Sequence, residues 1–365
     1  MSLTSKTAAF VGLQSLRDLV SDSMAIDMGS SATVIYVRGR GIVVDEPSLV
    51  AVNMINGEVV AIGKEAQQMS GREAREVTVI APLLNGVVAD FERTTQMLAH
   101  FVHLARSGIS HFSRRALMSV MSGITQVEQR ALFNAAKEAS IGRVCMIEGG
   151  VAAALGAGVK IDDGRASGIV DIGGATTNVS IVANGAIVHA RTHALGGWSI
   201  NEAIMNHMRR HRGLEIGTQT AERVKIELGS AIPPRDIAQE IQINGRDVLT
   251  GSPAAIEISA GEIYPVVHEL IRKIEEIISM ALTEVPAEVA GDLYTRGIIL
   301  TGGGALLTGL DDYLSERTRL AVCVADEPRY AMVRGLEQMF EEPLSFRRVM
   351  RCGPSQLMDP IAISH

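Results

Sequence analysis

The chain has 365 residues, 47% of them hydrophobic, which suits about two domains with sizeable cores. Its formal net charge of −7 argues against nucleic acid as a partner, because a phosphate backbone demands a basic face. Small anionic ligands stay open to it, since backbone N–H groups and metal ions can hold them. Cys145, Cys323 and Cys352 show no C-x-x-C spacing, so reduced, buried thiols in a cytoplasmic protein are expected. No apolar run approaches the about 20 residues of a membrane span, and no cleavable secretion signal is visible.

Residues 1–23 read as an appendage. Phe10, Leu13, Leu16, Leu19 and Val20 recur at the spacing of an amphipathic helix, which Ser5 is placed to cap. Such a segment lies in a membrane interface as a helix, docks on the protein's own body, or forms a disordered tail. From Met24 an apolar run meets a turn at Asp27-x-Gly29 and resumes at Val34, the pattern of a β-hairpin. Helical patterns follow at about 92–107 and 126–140. A second apolar strand from Gly168 runs into Asp171 and the turn 173–177, then resumes at Val179. A loop is expected around Pro233 and Pro234. A third strand, 297–300, ends in the glycine run 302–304 and is predicted to enter a helix at Ala305.

The strand–Asp-x-Gly–strand pattern thus occurs twice, at Asp27 and at Asp171. It predicts a duplicated α/β fold with a cleft between two similar halves. Glycine lets a backbone approach phosphates closely, and opposed turns can clamp them from two sides. Asp27 and Asp171, each at a strand end, can orient waters on Mg²⁺, which is held through few carboxylates. Ser30, Ser31, Thr176 and Thr177 add hydroxyl donors. The third glycine run can seat a sugar or α-phosphate against a helix start. No G-x-x-x-x-G-K-[ST] run is present, which excludes a P-loop.

These three elements resemble the phosphate and adenosine motifs of the actin, sugar-kinase and heat-shock-chaperone superfamily, and within it the bacterial MreB family. IDMGSSAT from Ile26 is similar to the family's IDLGTANT, and GRGIVVDEPS from Gly39 to its GxGIVLNEPS. NGVVADF from Asn85, GITQVEQR from Gly123 and TAERVKIELGS from Thr220 resemble family runs, and TGGGALL from Thr301 matches in full. The resemblance spans about residues 24–340.

It implies a duplicated two-domain actin-like α/β fold with a central nucleotide cleft and a smaller peripheral subdomain on each domain. The implied division is 1–23 as the appendage, 24–150 as the first domain with a return near 335–350, and 151–334 as the second. The second peripheral subdomain falls near 215–260. It further implies an ATP-binding homopolymer forming double filaments on the inner face of the cytoplasmic membrane. Cell-elongation membrane proteins would be its partners, cell shape and cell-wall synthesis its role, and slow ATP hydrolysis its chemistry.

Carried over residue by residue, Gly29, Ser30, Ser31, Ala32, Gly173, Gly174, Ala175 and Thr176 would hold phosphates. Glu222, Arg223, Val224 and Lys225 would line the adenosine pocket, closed by Gly302, Gly303, Gly304, Ala305 and Leu306. Glu128 would be the catalytic, water-activating carboxylate. Read without the family, Thr125 and Glu128 form a capping box. Membrane contact would fall to Phe10, Leu13 and Leu16, or to the loop containing Ile109 and Phe112.

The chain departs from the family's pattern at several points. Ala175 stands for a glycine and Asn178 for a glutamate. SVMSG from Ser119 replaces a V-P-x-G run, and Glu148-Gly-Gly replaces Glu-Glu-Pro, which is expected to loosen the domain junction. GGWSINE from Gly196 replaces GGDxFDE, so two acidic positions near the cleft become Trp198 and Asn201. The competing readings are a filament for organelle or plasmid positioning and a small-molecule kinase of the superfamily.

Overall fold

The computed structural model describes residues 23–106, 115–341 and the short strand Arg351–Cys352. Two mixed sheets form its frame. The first runs in the order Arg351–Cys352, Arg143–Glu148, Arg115–Val120, Ser23–Met28, Ala32–Val37, Gly41–Pro47. The second runs Val322–Val324, Ile298–Thr301, Ser167–Ile172, Thr177–Ala183, Ala186–His193.

From the second strand of the first sheet onward the two orders repeat one another. In each sheet a hairpin strand pairs antiparallel with its successor and parallel with a later strand. Asp27 and Asp171 occupy the same place, one residue before their strand's end. The central strands are apolar almost throughout because both of their faces are covered: Met24, Ala25, Ile26, Ile169 and Val170 are all fully buried.

Smaller three-stranded sheets sit at the periphery of each half. One is built from Val59–Ile62, Val50–Asn53 and Val77–Ile80, the other from Leu214–Glu215, Glu240–Asp247 and Pro253–Ser259. The loop at Pro233 and Pro234 leads into the second of these.

Each half buries its own apolar core, and a third core joins them. The third packs Ala25, Leu117 and Ile147 of the first sheet with Ile169 and Val182 of the second, around the helices Gly149–Gly156 and Ala331–Glu341. These helices are the chain's two passages between the sheets. They cross backbone to backbone: a Cβ on Gly156 would strike the Ala331 carbonyl, and one on Gly335 the Ala152 carbonyl. Gly149 and Gly150, expected to loosen this junction, lie inside it. Both are buried, and a Cβ on Gly150 would strike the Ser180 side chain.

The thiols also depart from expectation. Cys323 is free and exposed on the strand Val322–Val324, which closes one edge of its sheet. Cys145 is disulfide-bonded, and its strand's antiparallel register sets it opposite Cys352. Among the described residues no helix is long and apolar enough to cross a membrane. Phe10, Leu13, Leu16, Ile109 and Phe112 lie outside the described residues.

Candidate functional site

A cavity of about 1100 Å³ opens between the two halves, and both hairpin turns line it. The turns are built alike. The N–H of Gly29 donates to the carbonyl of Ala32 at 3.0 Å, and that of Gly173 to Thr176 at 2.8 Å. The Gly29 carbonyl also accepts from the Ser48 hydroxyl at 2.6 Å, and Ser30 Oγ accepts the N–H of Gly86 at 2.9 Å. Among the described residues the N–H groups of Ser30, Ser31, Gly174 and Ala175 donate to no protein acceptor. Unpaired N–H groups in successive turn residues attract an anion. The turns meet across the cavity: a Cβ on Gly174 would lie 2.6 Å from the Ser31 Cβ and 3.2 Å from the Trp198 indole nitrogen.

Asp27 and Asp171 stand at the cavity floor. Ser119 donates to Asp27 Oδ1 at 2.6 Å, while Asn178 and Thr301 each donate to Asp171 at 3.2 Å. Ser119 and Thr301 stand on the parallel partner strands of the two hairpins. Burial pushes the Asp27 carboxyl up to about 6, the Ser119 hydroxyl opposes that, and the Asp171 charge adds to it. Burial raises the Asp171 carboxyl also, against the hydrogen bonds from Asn178 and Thr301. No group of three or more His, Cys, Asp or Glu placed to hold a metal ion occurs among the described residues. Two desolvated carboxylates suit a magnesium ion held largely through water and a ligand's own phosphates.

The helix Thr218–Leu228 forms another wall through Glu222, Lys225 and Ile226. Glu222 Oε2 accepts from Lys225 Nζ at 2.7 Å and from Asn201 Nδ2 at 2.7 Å. Its neighbours turn away. Arg223 donates to the Gln242 carbonyl at 2.8 Å on the peripheral sheet, and Val224 is 0% exposed in the core.

On the glycine-run side, Gly302, Gly303, Gly304 and Leu306 line the cavity, whereas Ala305 is 2% exposed and packs inward. Gly302 has φ +81°, and a Cβ there would lie 2.8 Å from Asp171 Oδ1. The run continues as a short 3₁₀ turn, Gly303–Leu306, and the helix begins only at Leu310, later than predicted.

Glu128 is not among the cavity's lining residues. Its carboxylate completes the capping box of the helix Gln126–Glu138, accepting the Thr125 N–H at 2.8 Å and the Thr125 hydroxyl at 2.7 Å. Those bonds, the hydroxyl's first, hold its carboxyl below the usual range.

Three further participants are not assigned to the site from sequence. Ser119 is legible only once strand pairing is known. Gln219 donates across the cavity mouth to the Gln67 carbonyl at 2.6 Å, and no sequence signal marks it. Trp198 takes its position because its N–H and that of Gly197 donate to the Gly174 and Gly173 carbonyls at 2.7 and 3.0 Å. That fastens the start of the helix Gly197–His211 to the second turn.

A family model described as MreB/Mbl protein matches residues 21–348. The cell shape-determining protein MreB of Escherichia coli (strain K12) is 40% identical over 328 residues, covering 88% of this chain and 94% of that protein. The cell shape-determining protein Mbl of Bacillus subtilis (strain 168) is 37% identical over 320 residues, covering 87% and 95%. The crystal structure of MreB5 of Spiroplasma citri bound to ADP aligns with a TM-score of 0.84 at 32% identity, over 90% of this chain and 98% of that one. A second crystal structure of that protein is bound to AMPPNP. The MamK double helical filament, at 22% identity and a TM-score of 0.73 over 88% and 99% of the two chains, shares the fold.

Proposed function

The chain belongs to the MreB/Mbl family, and from that premise we propose that it binds ATP with Mg²⁺ between its two halves and polymerises into double filaments. The filaments lie on the inner face of the cytoplasmic membrane. There they act with elongation membrane proteins to organise cell-wall synthesis and so cell shape.

The observation that carries the nucleotide reading is the opposition of two equivalent turns across one cavity, each with unpaired N–H groups and an aspartate beneath it. Four free donors on two sides suit a triphosphate better than a single anion. A bound Mg²⁺ would offset phosphate charge and supply ordered water, which Asp27 and Asp171 would hold. Glu222 and Lys225 face the sugar, and Leu306 with Ile226 gives the base an apolar wall. Glu128 orients the attacking water after leaving its cap.

The test is titration with ATP with and without Mg²⁺, followed by high-speed sedimentation and electron microscopy. Metal-dependent binding and nucleotide-dependent double filaments are expected. A protein that binds ATP but stays monomeric at every concentration would favour the kinase reading.

The membrane part rests on the apolar spacing of Phe10, Leu13 and Leu16. One such helix binds lipid weakly, and a filament multiplies it by avidity. Liposome flotation should therefore rise with assembly and fall on deletion of residues 1–22, with assembly itself intact. If truncated filaments float equally well, Ile109 and Phe112 become the anchor candidates.

A further inference from the structure

We propose that Asn201 is a specificity-determining residue whose side-chain carbonyl accepts a hydrogen bond from a ribose hydroxyl of the bound nucleotide. The inference deepens the nucleotide-binding reading and rests on it.

Asn201 is 1% exposed and lines the cavity. Its Nδ2 donates to Glu222 Oε2 at 2.7 Å, and that oxygen also takes the Lys225 ammonium at 2.7 Å. This fixes which end of the amide points where. A carboxylate only accepts, so turning the amide over would set oxygen against oxygen. Oδ1 is therefore an acceptor, and it has no hydrogen-bond partner. Leaving such a group buried and unsatisfied is destabilising, and a ligand donor would recover that cost.

The donor's class is set by the surroundings. Phosphate oxygens and the ring nitrogens of an adenine base are acceptors and would repel Oδ1. A ribose hydroxyl and a purine amino group remain. Asn201 lies three residues, about 4.5 Å of helix rise, beyond Trp198. The Trp198 indole abuts the meeting point of the two phosphate turns. The sugar is the part of a nucleotide one step from its phosphates. The Glu222–Lys225 ion pair beside Asn201 favours a hydroxylated sugar over a flat apolar base. The base finds its apolar wall further out, at Ile226, Leu306 and Leu307. Where the family's pattern carries an aspartate at this position, this chain substitutes a neutral amide. Asn201 can therefore donate to Glu222, where a carboxylate would repel it, and still keep an acceptor for the sugar.

The test compares the affinities of ATP, 2′-deoxy-ATP, 3′-deoxy-ATP and inosine triphosphate, each with Mg²⁺, on the full chain. One of the two deoxy analogues should bind the wild type about tenfold more weakly, the equivalent of about 1.4 kcal/mol. In Asn201→Leu, which keeps the branched shape, though larger, and lacks the acceptor, that difference should disappear while ATP still binds. The wild-type series stands by itself should the variant not fold. Equal affinity for ATP and both deoxy analogues overturns the proposal. A selective penalty for inosine triphosphate overturns it too, by assigning Oδ1 to the base. Failure of ATP itself to bind would remove the underlying nucleotide reading instead.

Discussion

Asp27 takes one hydrogen bond, from Ser119, whereas Asp171 takes two, from Asn178 and Thr301. Both sit at the same position of the same hairpin, in sheets of the same strand order. The segments that leave the parallel strand of each half differ more. After Arg115–Val120 the chain enters a capped helix carrying Glu128. After Ile298–Thr301 it makes the glycine-rich 3₁₀ turn that leads to Leu306. A duplicated frame gives a symmetric clamp, and a clamp alone cannot orient a ligand with two unlike ends. Orientation has to come from the asymmetric segments, and of these only the glycine-rich turn lines the cavity, while the Glu128 carboxylate stays in its helix cap.

Removing either aspartate tests whether the symmetric part is shared equally. Asp171→Ala should weaken Mg²⁺-dependent ATP binding by more than tenfold, roughly the loss of one charge-assisted contact. Asp27→Ala should do the same. A large loss at one position with none at the other, read by titration with and without metal, would break the equivalence.

Acidity sharpens the comparison next. The folded Asp27 carboxyl titrates near 6, above its ordinary value of 3.8, so the folded state holds this proton more tightly than the unfolded chain. Its stabilising contribution is complete below pH about 4 and is lost as pH rises through about 6. Without ligand, the Asp27→Asn variant should therefore show a flatter stability–pH curve over that window and gain stability at pH 7. Denaturant melts at four or five pH values would read this. A parallel shift of the whole curve would assign the effect elsewhere.

The repeated hairpins were legible because apolar runs broken by Asp-x-Gly are a local signal. The expectation that Arg223 and Val224 line the pocket went against the helix period, and both turn away from it. With Glu222 and Lys225 three apart on one helical face, the two residues between them must turn away, by about 100° and 200°. The late helix start after 302–304 is also local, since three glycines favour a tight turn over an α-helix. The close crossing at Gly156 and Gly335 and the Gln219 bridge to Gln67 are different in kind. Each depends on residues far apart in the chain, and a single glycine or glutamine says nothing of its partner. The orphaned carbonyl of Asn201 was visible only as a departure, because its meaning lies in what it fails to touch.

The capping box of Thr125 and Glu128 carries the sharpest contrast between the halves. The Glu128 carboxylate is committed to Thr125 by two hydrogen bonds, so reaching a nucleotide requires breaking the cap. Thr125→Ala removes the hydroxyl and should lower stability by about 1 kcal/mol, the ordinary value of a lost N-cap. It also makes the carboxylate easier to release. Phosphate release should then rise roughly two- to threefold in Thr125→Ala, in keeping with the loss of one modest hydrogen bond. Glu128→Ala should lower it by about tenfold or more while sparing ATP affinity. The two variants share a damaged helix start, so a structural effect alone would move both in the same direction. Opposite signs would assign Glu128 to the water. If both variants hydrolyse more slowly, the capping box is a structural device and the second half's glycine turn has no catalytic counterpart in the first.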